Sequence, residues 1–228
     1  AYRAAGPARE LTEAEGRRLG TDTWRGYADS LPDDQRSAVR FYTGNGYEDV
    51  NEPLREGVAA AAGIDATIAL LDAVMAAAPT VPEAVVVGRS VTESIFGLPR
   101  RGDGPVTPQS NTQRLADALA LRGRPFRDDG FMSTAMQTDG FHHDRHEARL
   151  QIEVPAGTRA LYVSSHPDID GAPDPRSLAE YGPDENELLI GRGVEFEITD
   201  AQIDDVTGDL LFRVRVTGQS PARLEEGR

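Results

Sequence analysis

A chain of 228 residues with 39% hydrophobic residues can bury the core of one globular domain, and its net charge of −14 opposes binding to nucleic-acid phosphate or to anionic lipid. Cysteine is absent, which excludes disulfides, thiolate catalysis and cysteine-type zinc sites. No apolar run approaches the roughly 20 residues that span a bilayer, so neither a membrane nor a nucleic-acid partner is expected.

Residues 1–20 are polar and punctuated by Gly and Pro, with E-L-T-E-A-E-G-R-R offering at most a short charged helix. They are expected to form an extension or linker ahead of a single domain over 21–228. Trp24, Tyr27 and Leu31, then Pro32-Asp33-Asp34, then Val39, Phe41 and Tyr42 suggest two helices, with Asp33 or Asp34 capping the second. After a turn at Gly44-Asn45-Gly46, Ile64, Ile68, Leu71 and Met75 recur at helical spacing until Pro79 and Pro82 stop the pattern.

Strand signals begin with the apolar run Ala84 to Val87, which ends at Gly88-Arg89-Ser90. Residues 100–110 read as loop, and T-Q-R-L-A-D-A-L-A-L-R-G as a short helix stopped by Gly123. Strands are expected near 131–136, 149–154, 159–163, 187–190, 194–199 and 210–217. Helices first and many short strands after them argue an α+β fold rather than an alternating α/β one. The long stretch from Ser164 to about Asp184, rich in Pro and Gly, is of the length that compact domains keep for function.

Three segments carry candidate chemistry. In Glu185-Asn186-Glu187 an extended chain would point both carboxylates the same way, so that they share one site and titrate apart. Arg89 follows an apolar strand and a glycine, where a guanidinium can fork onto phosphate or carboxylate. Ser133 and Thr134 place hydroxyls inside a strand, within reach of a carboxylate or of local backbone. Taken singly, each has an ordinary explanation: a solvated acidic strand entrance, an ion-paired arginine, a locally satisfied Ser-Thr pair.

Their order and flanks resemble the mono-ADP-ribosyltransferases of the R-S-E class, and within them the bacterial branch of clostridial binary toxins, insecticidal vegetative proteins and Rho-modifying exoenzymes. The segment Y-T-G-N-G-Y-E-D-V-N-E-P-L-R at 42–55 is similar to that branch's Y-T-x-x-x-Y-x-x-I-N-x-x-L-R, and the similarity runs over about 35–217. The resemblance implies N-terminal helices packed on a two-sheet mixed β-sandwich core, with NAD⁺ as substrate. It also implies transfer of ADP-ribose to a protein by a toxin or effector that is secreted or delivered into a target cell.

Laid on this sequence, the family pattern gives Arg89, with Gly88 and Ser90 beside it, the NAD⁺ phosphates. Ser133 would hydrogen-bond Glu187, and Thr134 would support the strand or the nicotinamide side. Glu187 would hold the nicotinamide-ribose 2′-hydroxyl and stabilise an oxocarbenium-like transition state. Glu185 would position an acceptor guanidinium and help remove its proton; in this family Glu at that position accompanies arginine acceptors, whereas Gln accompanies other acceptors.

Phe141 is the candidate to pack on nicotinamide, and Tyr181 the candidate contact with the target. The usual Ser-Thr-Ser strand is Ser133-Thr134-Ala135 here, so a third hydroxyl is missing. His142, His143 and His146, with Asp144 and Glu147, invite a zinc reading, but Arg145 lies inside the cluster and a solvated loop accounts for it, so no metal is expected. The competing functions are an NAD⁺ glycohydrolase, since water can take the place of the acceptor, and an ADP-ribosyltransferase with a non-arginine acceptor. A protein bearing an acceptor arginine is the expected partner, with an immunity or inhibitor protein as a candidate second.

Overall fold

In the computed structural model, residues 6–99, 108–138, 148–164, 177–179 and 185–220 are described. A 17-residue helix, α1 (Glu13–Asp29), comes first, followed by α2 (Asp33–Phe41), α3 (Tyr47–Glu56) and α4 (Ile64–Ala77). A fifth helix, α5 (Pro108–Leu119), packs on the sheet further along the chain.

The strands are β1 (Arg9–Glu10), β2 (Val85–Val91), β3 (Pro125–Asp128), β4 (Met132–Ala135) and β5 (Ala148–Val154), then β6 (Ala160–Tyr162), β7 (Glu187–Ile190), β8 (Val194–Ile203) and β9 (Leu210–Gln219). The α+β class stands as expected. Among the described residues, the strands form one hydrogen-bonded path, β3-β8-β9-β5-β2-β4-β7-β6, with β1 alongside β2. The two sheets expected from the sequence are its two halves. They join between β2 and β4 at a single pair, Gly88 with Ala135, whereas β2 runs against β5 over its whole length.

Alternation builds the larger half: Ala148, Leu150, Ile152 and Val154 of β5 are all buried, as are Leu210, Phe212, Val214 and Val216 of β9. Phe96, Phe126, Phe196 and Phe212 form an edge-to-face and stacked cluster that closes one end of the core. In α4 the buried stripe is Ile68, Leu71, Val74 and Met75, and the helix ends at Ala77, two residues before Pro79.

Two expectations are corrected here. From Arg9 onward the presumed extension belongs to the domain: β1 pairs with β2, Leu11 is buried, and Thr12 and Glu15 form a reciprocal capping box that starts α1. The buried stripe of α1 is Gly16, Gly20 and Trp24, and two of those three have no side chain for a hydrophobic pattern to register. A β-carbon on Gly20 would lie 2.5 Å from the ring of Tyr162, so the glycine is what lets α1 press against β6.

The second correction concerns the start of α2. Pro32 occupies the cap position and no side chain caps it; Asp33 and Asp34 lie in the first turn, where their charges complement the helix dipole instead.

Candidate active site

The seam where β2 parts from β4 gathers the three segments. On β2, Val85, Val87, Arg89 and Val91 share one face, and their partners on β5, Val154, Ile152, Leu150 and Ala148, are all core residues. Arg89 is thus a cation inserted in an otherwise apolar row, just beyond the single pair that joins the two halves. Its Nη1 is buried and has no hydrogen-bond partner among the described residues. Burial pulls its pKa below the ordinary guanidinium value, and the nearby Asp128 carboxylate opposes that shift.

Across the seam, Gly88 pairs with Ala135, and Ala135 pairs in turn with Glu187 on β7. Ser133 opposes Leu189, two positions along, so Ser133 and Glu187 are diagonal neighbours on one face. The Ser133 hydroxyl hydrogen-bonds the Glu187 carboxylate. Thr134 points the other way; its hydroxyl is buried and donates to the Leu188 carbonyl at 2.7 Å, which ties β4 to β7.

Glu187 is 5% exposed. Burial raises its pKa to about 7, with the Ser133 hydrogen bond and the Arg89 charge pulling down and the Glu185 charge pushing up. Its backbone is fixed on both sides, by the Ser164 hydroxyl accepting from its N–H at 2.7 Å and by the Val163 N–H donating to its carbonyl at 3.1 Å. The strand position of Glu187 is therefore fixed on both sides.

The extended chain expected through Glu185 and Glu187 is not what the structure adopts. Asn186 has φ 47°, so the strand begins only at Glu187 and the chain turns at Asn186. Glu185 is half-buried and still acts on Glu187 through its charge. Ser90 is likewise not where the pattern put it: strand alternation sends its side chain to the face opposite Arg89, beside its partner Arg149. Phe141, Tyr181 and the histidines His142, His143 and His146 lie outside the described residues. Among the described residues no group of three His, Asp or Glu side chains forms a metal-binding cluster.

The Y-T…N-E-P-L-R segment stands out in the sequence without a task, and the structure supplies one. The Tyr42 hydroxyl donates to the Phe131 carbonyl at 2.9 Å, and the Asn51 amide donates to that hydroxyl at 2.9 Å and to the same carbonyl at 3.2 Å. Asn51 Oδ1 accepts from the Phe131 N–H at 2.8 Å, so the side chain grips the backbone two residues before Ser133 as a neighbouring strand would. Arg55 binds Asp128 through two bonds of 2.9 and 3.0 Å, and the Thr43 hydroxyl donates to the Leu178 carbonyl at 2.8 Å. Tyr42 is buried near both Arg89 and Glu187, and burial pushes its pKa to about 12, which keeps it a neutral donor.

A guanidinium whose buried Nη1 has no partner among the described residues, and a carboxylate beside a hydroxyl across the same seam, suit a substrate with phosphates at one end and a reacting sugar at the other. Residues 16–216 match the ADP-ribosyltransferase exoenzyme family, and the chain belongs to that family, whose substrate is NAD.

Solved structures agree on the fold. The C3 exoenzyme of Clostridium limosum shares 18% identity with a TM-score of 0.73, covering 93% of this chain and 98% of that one. Plx2a, an ADP-ribosyltransferase toxin from Paenibacillus larvae, shares 19% with a TM-score of 0.72, covering 93% and 100%. C3stau2 from S. aureus, solved with NAD, shares 20% with a TM-score of 0.72, covering 94% and 100%. No curated protein matches the chain in sequence.

Proposed function

We propose that this ADP-ribosyltransferase transfers ADP-ribose from NAD⁺ to arginine side chains of a target protein, as a toxin or effector that is secreted or delivered into a target cell. The observation that carries the reading is the convergence of Arg89, Ser133 and Glu187 on one seam, with Arg89 Nη1 buried and without a partner among the described residues and Glu187 beside Ser133.

Arg89 binds the phosphates, and Gly88, at the pivot between the sheet halves, gives them room. Ser133 orients Glu187. Ionised, Glu187 faces the ribose carbon from which nicotinamide departs and stabilises the positive charge that grows there in a water-poor site. Glu185, half-buried and beyond the turn at Asn186, is placed to take the acceptor's guanidinium and draw off its proton. Thr134 ties β4 to β7. Phe141 is assigned to the nicotinamide side and Tyr181 to the target.

NAD⁺ glycohydrolysis is the second reading, since the same carboxylate serves attack by water. Glu185 decides between them, and the Glu185→Gln variant separates the two activities: arginine modification is suppressed while part of the hydrolysis remains. Equal loss of both removes Glu185 from the acceptor role. The target is identified by incubating cell lysate with the protein and biotinylated NAD⁺ and locating the modified side chains by mass spectrometry, with Glu187→Ala as control. Label on arginine supports the reading; label confined to other side chains, or none above the control, overturns it.

A further inference from the structure

Asn186 stands between the two glutamates and is the sole described residue other than glycine with positive φ, at 47°. Left-handed backbone disfavours residues with a β-carbon, and asparagine is among those that adopt it most readily. Its side chain is fully buried and committed in three directions. Oδ1 accepts from the Tyr162 hydroxyl at 2.9 Å, while Nδ2 donates to the Glu13 carbonyl at 3.2 Å and to Gln137 Oε1 at 3.0 Å. Its backbone carbonyl accepts from the Met136 N–H at 2.9 Å.

Those partners belong to three elements: the first turn of α1, β6 at the end of the strand path, and the segment that leaves β4. A fully extended Glu185-Asn186-Glu187 would set the two carboxylates roughly 7 Å apart on one face of one strand. With the chain turned at Asn186 instead, Glu187 lies in the row with Ser133, while Glu185 is less buried and its charge still reaches Glu187. The first turn of α1 thereby becomes part of the acceptor side, and Gly16 permits it: a β-carbon there would lie 2.4 Å from the Met136 carbonyl and 2.8 Å from Asn186 Nδ2.

We propose that Asn186 is a positioning residue that sets the ratio of transfer to hydrolysis. Its turned backbone and three side-chain hydrogen bonds, anchored on α1, hold Glu185 at the acceptor while Glu187 stays in line with Ser133. The proposal rests on the assignment of Glu185 to the acceptor.

The test measures nicotinamide release without acceptor and ADP-ribosylation of agmatine, a small guanidine, for wild type, Glu185→Gln, Asn186→Ala, Asn186→Gly and Tyr162→Phe. Asn186→Ala should lower agmatine transfer about tenfold more than it lowers hydrolysis. Asn186→Gly, which tolerates the turn but loses the hydrogen bonds, should show a smaller split in the same direction. Tyr162→Phe, which removes one hydrogen bond and keeps the packing, should shift the ratio about twofold and serves if the Asn186 variants fail to fold. Should Glu185→Gln split the activities while the Asn186 and Tyr162 variants lose both in proportion or neither, Asn186 is a structural residue only. Should Glu185→Gln itself fail to split them, the acceptor assignment falls and this proposal with it.

Discussion

The Ser133 hydroxyl and the Glu187 carboxylate are joined by a hydrogen bond between β4 and β7, and that bond is one of two influences lowering a pKa that burial has raised to about 7. Removing it with Ser133→Ala should move the acid limb of kcat/KM for NAD⁺ cleavage to higher pH, because the ionised form loses a donor. Activity at pH 7 should fall roughly fivefold, if the shift is about one unit, and recover most of that loss by about pH 8.5. An unchanged pH profile with a uniform loss would remove Ser133 from control of Glu187.

Arg89 predicts a divergence between stability and binding. Its buried Nη1 has no hydrogen-bond partner among the described residues, and a buried polar atom left unsatisfied weakens the folded state. Arg89→Met should leave the Tm unchanged or raise it by a few degrees, while the Kd for NAD⁺ rises at least about tenfold through loss of the phosphate contact. Calorimetry and NAD⁺ titration on the same sample check both. A large drop in Tm would mean that Arg89 is a structural ion rather than a waiting one.

Glu187 should also leave its mark on stability against pH. In the unfolded chain its proton leaves near 4.5, in the native state near 7, so between those values the native state holds the extra proton. Stability then falls as pH rises through this window, by up to about 3 kcal/mol. Glu187→Gln should match wild type below pH 4.5 and exceed it above pH 7, in denaturant titrations run across the range. A variant less stable than wild type at pH 8 would contradict the raised pKa.

Two glycines of α1 offer a paired test of how the first helix docks. A β-carbon on Gly16 would lie 2.4 Å from the Met136 carbonyl oxygen, whereas one on Gly26 meets nothing within 4 Å. Gly16→Ala should destabilise by about 1–3 kcal/mol through overpacking. Gly26→Ala, exposed in the same helix, should stabilise by about 0.5–1 kcal/mol through propensity alone. Equal effects in thermal melts would mean that α1 is not pressed against the Asn186 turn.

Much of the later chain was legible because its strands alternate or run apolar: β5, β8 and β9 announce themselves by period, and β2 and β7 by their apolar runs. Arg89, Ser133 and Glu187 were legible only in combination, since no one of them differs from an ordinary surface or strand residue.

What escaped has physical reasons. The stripe of α1 is largely glycine, so its burial comes from close approach rather than from apolar side chains, although the Thr12 to Glu15 spacing did carry a capping signal. β1 and β3 are short and charged, Arg9–Glu10 and Pro125–Asp128, with no alternation to read. The turn at Asn186 was hidden because its reason lies in Glu13, Gln137 and Tyr162, distant in the chain. The tasks of Tyr42 and Asn51 are equally non-local, resting on the Phe131 backbone.

The proposed function turns on Glu187, which it assigns to the point where nicotinamide leaves rather than to where NAD⁺ is held. Steady-state nicotinamide release and equilibrium NAD⁺ binding, measured on Glu187→Gln beside wild type at pH 8, test this most directly. The expected result is a kcat lower by at least about a hundredfold, some 2.7 kcal/mol of barrier, with the Kd for NAD⁺ within about threefold. Turnover within about threefold of wild type, or a loss explained wholly by weaker binding, would contradict it.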